Sequence, residues 1–217
     1  MTKEMIGLLI FVVLSLPKGV LAQELPVKVK GGHELGETAE QFFAEGHEKD
    51  VLSACAAGDF KSVNRSSRRQ LKQFCSEFGD QRHQAMSGKR SEYKTGGDPA
   101  EMRADTFTFD GGRLVKVELV FSNPSAESNY RGQRFEEIFA GVTQAYGPPT
   151  GENTAPVRDA YGVEYVAHHE TWITPSAAIL IAEQPGPGGS TTLLALTRAE
   201  YNRTMPTGAP QAANPLQ

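Results

Sequence analysis

Residues 104–122 read ADTFTFDGGRLVKVELVFS, and no other stretch narrows the fold as far. Phe107 and Phe109 alternate with polar residues before Asp110-Gly111-Gly112, and Val115, Val117, Leu119 and Phe121 alternate after it. A period of two puts each apolar set on one face of a strand and turns Lys116 and Glu118 the other way. Gly111-Gly112 accepts the positive φ values of a tight two-residue turn. A β-hairpin is expected here, and with it an antiparallel sheet.

The flanking segments change period. GETAEQFFAEGHE opens with Thr38 and Gln41 at capping-box spacing, so a helix is expected from Thr38 with Phe42 and Phe43 on its apolar side. Ser67 and Gln70 repeat that spacing, and Leu71, Phe74, Cys75 and Phe78 fall at i, i+3, i+4 and i+7. This predicts a helix from Ser67 with Gly79 as its stop. Residues 51–60 suit a short helix carrying Cys55. In RGQRFEEIFAGVTQAYGPPT the stripe is Phe135, Ile138, Phe139, Val142 and Tyr146, with Gly147 placed to end the helix and Pro148 to forbid its continuation. Strands are expected at about 162–172, 177–183 and 191–197.

The resulting order is α, α, β, β, α, β, β, β. It predicts an α+β fold: a largely antiparallel sheet of about five strands with helices packed on one face. Residues 36–204 read as one domain, with halves 36–122 and 131–197 that use a helix-then-sheet unit twice. Residues 205–217, rich in Pro and Ala, read as a disordered tail.

The N-terminus suggests an address. A weakly basic start, an apolar run from Met5 to Leu16 and Val20-Leu21-Ala22 before Gln23 form the three-part pattern of a signal peptide over residues 1–22, with 23–35 as lead-in. The run is shorter than the ~20 apolar residues of a membrane span. The expectation is an exported protein, periplasmic or secreted, with no transmembrane segment after Gln23. Export bears on Cys55 and Cys75, the chain's two cysteines. Disulfides persist in oxidising compartments, and two cysteines without histidines at finger spacing make a poor zinc site. A Cys55–Cys75 bridge is expected.

Hydrophobic residues make up 39% and charged residues 22% of the chain, as in ordinary globular domains. The net charge of −4 disfavours general nucleic-acid binding. Charge is unevenly placed. Residues 33–60 hold seven acids against Lys49, and residues 61–94 hold nine bases against three acids. The two runs are expected to pack together and neutralise each other. The alternative is an anion-binding patch at Arg65, Arg68, Arg69 and Lys72.

Candidate chemistry is sparse. In VEYVAHHETW, a strand would turn Glu164, His168, Glu170 and Trp172 to one face and His169 to the other. An imidazole between carboxylates suits proton transfer or a metal, but no third ligand is identifiable, so no catalytic, cofactor or metal site is assigned. GPGGS lacks the lysine and the strand-to-helix context of a phosphate loop, and no serine sits in a nucleophile elbow. Asn64-Arg65-Ser66 and Asn202-Arg203-Thr204 match the glycosylation sequon.

FTFDGGRLVKVELVF, followed by a helix ending AYGPPT and a strand ending in Trp172, resembles a broad group of small exported bacterial proteins, most of them uncharacterised. ELGETAEQF is similar to the helix start of small outer-membrane assembly lipoproteins, and the element order resembles the β-lactamase-inhibitor-protein-like fold, which repeats a helix–sheet unit. The resemblance implies fold and compartment only. Gln23 stands where a lipoprotein has its anchoring cysteine, and no functional residue carries over. The expected function is non-catalytic binding of another envelope or secreted protein. One of Tyr165 and Trp172 should face outward beside Glu164, His168 and Glu170. The alternatives are a small hydrolytic or metal-dependent enzyme using His168 and Glu170, and a small-molecule carrier.

Overall fold

A computed structural model describes residues 27–29, 32–58, 64–95, 105–122, 133–158, 161–186 and 189–205. The expected signal peptide, the start of the lead-in and all but the first residue of the expected tail lie outside the described residues. The described elements are α1 (Ala39–Ala44), α2 (Gly46–Ala57), α3 (Arg65–Met86), β1 (Ser91–Thr95), β2 (Asp105–Asp110), β3 (Arg113–Ser122), α4 (Gln133–Tyr146), β4 (Gly151–Arg158), β5 (Glu164–Ile173), β6 (Ala177–Gln184), β7 (Ser190–Thr197) and α5 (Arg198–Thr204).

The strands form one antiparallel sheet in the order β1-β2-β3-β7-β6-β5-β4. The expected α+β class and antiparallel pairing hold. The strand count does not: seven strands stand where about five were expected. The additions β1 and β4 are the two edges. An edge strand is paired on one side only and carries little apolar alternation. The strand β1 has one buried apolar residue, Tyr93, and β4 has no buried residue. The last strand in sequence, β7, lies in the middle, between β3 and β6.

The hairpin forms as read. Gly111 (φ 61°) and Gly112 (φ 71°) make the turn between β2 and β3. A bulge beside it changes one assignment. Phe109 pairs with Leu114 and Thr108 with Lys116, so Val115 is the extra residue. Leu114, and not Val115, joins Val117 and Leu119 in the core. An extra residue reverses the alternation beyond it, which period-two reading alone does not anticipate.

The helices depart from expectation mainly at their ends. The Thr38 capping box is present: Gln41 N donates to Thr38 Oγ1 (3.2 Å) and Thr38 N donates to Gln41 Oε1 (2.9 Å). Ala39 N donates to the Gly112 carbonyl and Leu114 N to the Glu37 carbonyl, both at 2.9 Å, which fixes α1 against the β2–β3 turn. The cap of α3 is Asn64, whose side chain accepts from Ser67 N at 2.9 Å, so Ser67 lies inside the helix. Gly79 does not stop it. Phe78 and Ala85, seven residues apart, are both buried and carry the helix on to Met86. Cys55 on α2 and Cys75 on α3 are bridged, with Cα atoms 5.5 Å apart. The α4 stripe packs on the core as expected, and Gly147 N donates back to the Thr143 carbonyl.

One face of the sheet receives α1, α3 and α4. Its central row runs Tyr93, Phe107, Val117, Ala195, Ile179 and Trp172 across six strands. Phe42 sits at the hub of the aromatic end, with ring centroids 5.0 to 5.6 Å from Phe43, Tyr93, Phe107 and Phe109. The other face is not left open, in contrast to the expected bare side. Thr108, Leu196 and Ala178 on that face are fully buried, and α5, which was not anticipated, packs on β6 and β7. Its Glu200 accepts from Arg90 (2.7 and 3.3 Å) and Arg203 (2.7 and 2.9 Å), which ties the end of the fold to the start of β1. Those bonds to Arg203 and Arg90 outweigh burial and hold the Glu200 carboxyl down at about 2.

Candidate functional site

The residues singled out on β5 do alternate as expected, but their face is the helix-covered one. Trp172 is 1% exposed. Its indole Nε1 donates to the Gly147 carbonyl at 2.8 Å and its ring lies 5.8 Å from Phe139 of α4. It is a core residue that fastens the end of α4, so of the two aromatics, one of which was expected to face outward, Trp172 is not that one and drops out of the expected binding surface. Tyr165 takes the opposite face and is half-buried. A Cβ added at Gly186 would stand 3.3 Å from its ring, so that loop passes close against the tyrosine. His168 lies under α4 with its ring 5.4 Å from Phe135. His169 is on the far face, and burial followed by the neighbouring His168 lowers its pKa. Glu164 is exposed and ion-paired to Arg158 across the β4–β5 ladder.

Glu170 is also buried, at 7% exposed. Its direct cross-strand partner is Glu152 of β4, and the next same-face pair is His168 with Thr154. Two carboxylates at directly paired positions repel. Glu183 of β6 lies one residue beyond the pair of Ala182 with His169, and its own partner on β7 is Thr191. Glu136, in the first turn of α4, completes the group. Burial is the main reason the Glu170 carboxyl titrates above the usual range; Glu152 and Glu136 add to the rise, and His168 opposes it. Glu183 is raised by burial and Glu136, again against His168. Among the described residues, Glu170 Oε2 and Thr191 Oγ1 are buried and find no hydrogen-bond partner. Glu136, Glu152, Glu170 and Glu183 thus form an acidic group around the His168 imidazole.

Toward the other end of the β4–β5 ladder, where Arg158 pairs with Glu164, apolar side chains are exposed. Tyr161 is 88% exposed, and Val163 and Val166 about half. Val166 pairs with Pro156 on the same face as His168. Pro156 has no N–H to offer, as suits an edge strand that must not pair further.

The other candidate residues fall elsewhere. Arg65, Arg68, Arg69 and Lys72 occupy the first two turns of α3, the helix that packs on β1 at the other edge of the sheet from β4. The acidic and basic runs do pack side by side, through Phe43 on Phe78 and the disulfide. Asn64 of the first sequon is engaged as the α3 cap. A second buried cluster had no sequence signal: His33 Nε2 bonds Glu48 Oε2 at 3.0 Å, and its Nδ1 ion-pairs with Glu37 at 2.9 Å. Burial alone would lower the His33 pKa, but the two glutamates overcome it and raise it to about 9. A shallow polar depression of about 440 Å³, lined by Glu34, Glu37, Gln41 and Glu45 among others, opens next to it.

Glu152, Glu183 and Glu136 were missed because β4 had not been recognised and no spacing links three separate elements. Among the described residues, no three His, Cys, Asp or Glu side chains stand where they could hold one metal ion. No helix among them is long and apolar enough to cross a membrane. Comparison with models of known families, with curated proteins and with solved structures returns no match.

Proposed function

We propose that the chain is an exported, non-catalytic binding protein that holds another protein at the β4–β5 corner. The observation that carries this reading is the exposed apolar group Tyr161, Val163 and Val166 toward the end of the β4–β5 ladder where Arg158 pairs with Glu164. An aromatic and aliphatic centre with a charged rim is the usual make-up of an interface hot spot. The Cys55–Cys75 bridge supports an oxidising compartment, in line with the N-terminal pattern and the resemblance to small exported bacterial proteins.

The test is site-specific photo-crosslinking in cells that export the chain, with the crosslinker at position 166 and, as control, at Phe74, an exposed position on α3. One defined adduct at 166, absent at 74 and lost in Tyr161→Ser, supports the reading. Equal adducts at both positions, or none at 166, overturn it.

A second reading keeps His168 and Glu170 as an acid–base pair in a small hydrolytic or metal-dependent enzyme. The raised Glu170 carboxyl next to an imidazole favours it. It lacks a converging set of ligands among the described residues and a nucleophile beside the pair, so the binding reading takes precedence.

A further inference from the structure

We propose that the Cys55–Cys75 bridge is a redox latch: a dithiol that reduces it frees α2 and draws Glu48 away from the buried His33. This goes beyond the binding reading and does not depend on it. Apart from the bridge, α2 is weakly held. No fully buried core residue lies on it, and only Val51 and Leu52 pack against the core from it. Its main neighbour is α1, the element just before it in sequence, and the bridge is its chief tie to α3. It begins without a side-chain cap at Glu45. Gly46 follows at φ 57°, a conformation that suits glycine and gives the α1–α2 junction a hinge. A twelve-residue helix with so little apolar surface is marginal without tertiary support.

The one fully buried side chain of α2 is Glu48, and it ends on His33. Glu48 Oε2 lies 3.0 Å from His33 Nε2, and Glu37 Oε1 lies 2.9 Å from Nδ1. The imidazole stacks on Phe42, with ring centroids 3.9 Å apart, and meets the edge of Phe107. Tyr93 of β1 is the other titratable neighbour of Glu48. A swing of α2 about Gly46 therefore removes one of the two carboxylates that hold His33 charged.

The bridge is placed to be reduced. Cys55 and Cys75 are half-buried and not sealed in the core. Cys75 follows Lys72 by three residues and Arg68 by seven, spacings that put both bases on its side of α3. Nearby cations favour a thiolate, and a more stable leaving thiolate is displaced faster. The step balances as a two-electron exchange. One thiolate of the dithiol attacks Cys55 Sγ, the S–S bond breaks and Cys75 leaves. The second thiol of the dithiol then displaces Cys55 from the mixed disulfide. The dithiol ends as a cyclic disulfide, and its two protons pass to Cys55 and Cys75.

The experiment treats the full chain with dithiothreitol in native buffer. It follows amide exchange by mass spectrometry and the His33 ring by NMR across a pH series. Reduction should speed exchange over residues 47–57 by about tenfold or more, leave β5 to β7 unchanged and lower the pH at which His33 titrates. Replacing Cys55 and Cys75 together by serine should reproduce all three changes without reductant, which keeps the test decisive if the reduced chain precipitates. A bridge that yields to the dithiol only in denaturant overturns the proposal. So does a reduced chain whose α2 exchange and His33 titration are unchanged, because the bridge is then a redundant staple. Exchange that rises as much in β5 to β7 as in α2 also overturns it, because the bridge would then support the whole fold.

Discussion

The two ends of the sheet are built differently. The β1–β3 end, under α1 and α3, is sealed by rings: Phe42, Phe43, Phe78, Tyr93, Phe107 and Phe109 meet edge to face, mostly at 5 to 6 Å. Its buried His33, held between Glu37 and Glu48, has each imidazole nitrogen facing a carboxylate. A disulfide staples α2, which has little apolar surface of its own, to α3. The β4–β6 end, under α4, mixes aromatic contacts with glutamates that face one another across the β4–β5 ladder. Among the described residues both ends keep buried polar atoms without a hydrogen-bond partner, Ser91 Oγ and Thr108 Oγ1 at the first, Thr143 Oγ1 and Glu170 Oε2 at the second. What separates the two is charge: the first sets carboxylates against an imidazole, the second sets carboxylate against carboxylate.

That contrast can be broken most forcefully at Phe42. Phe42→Ala should cost about 3–5 kcal/mol, whereas Phe139→Ala, at a half-buried position on α4, should cost about 2 kcal/mol. Urea unfolding of both variants checks the ranking, and equal losses would dissolve the distinction. Next comes the staple. Replacing Cys55 and Cys75 together by serine should cost about 3 kcal/mol, read as a lowered urea midpoint.

The buried histidine sharpens the contrast through pH. Its folded pKa of about 9 lies above the ordinary 6.5. Its contribution is therefore fully present below about 6.5 and is lost as pH rises through about 9. Stability should fall by about 2–3 kcal/mol between neutral pH and pH ~10, and His33→Gln should flatten that fall. The smallest effect has the opposite sign. Glu170→Gln removes a buried charge facing Glu152, so it should leave stability unchanged or raise it by up to about 1 kcal/mol. A loss greater than that would mean the carboxylate has a structural partner after all.

Much of the frame could be read from letters because local pattern and tertiary need agreed. Thr38 with Gln41, the Gly111-Gly112 turn and the α4 stripe each state a backbone geometry in a few residues, and each formed. What escaped was decided between segments. The strand GENTAPVR has no apolar alternation, and only its ladder with β5 makes it a strand. Val115 and Leu114 exchanged roles because the bulge is set by how β3 meets β2. Trp172 was half understood. Its parity was right, but whether that face met water or α4 depended on an element far away in sequence. The group of glutamates around His168 was invisible for the same reason, since its members come from α4, β4, β5 and β6.

The place of β7 in the sheet has a consequence for synthesis. It is the last strand to be made, yet it is the seam on which β3 and β6 both close. A chain emerging N-terminus first would hold two unfinished sheets, each with an open inner edge, until residues 190–197 arrive. Strand edges of that kind recruit other chains. Shortening this protein from its C-terminal side into β7 should therefore produce aggregates before it produces a smaller fold.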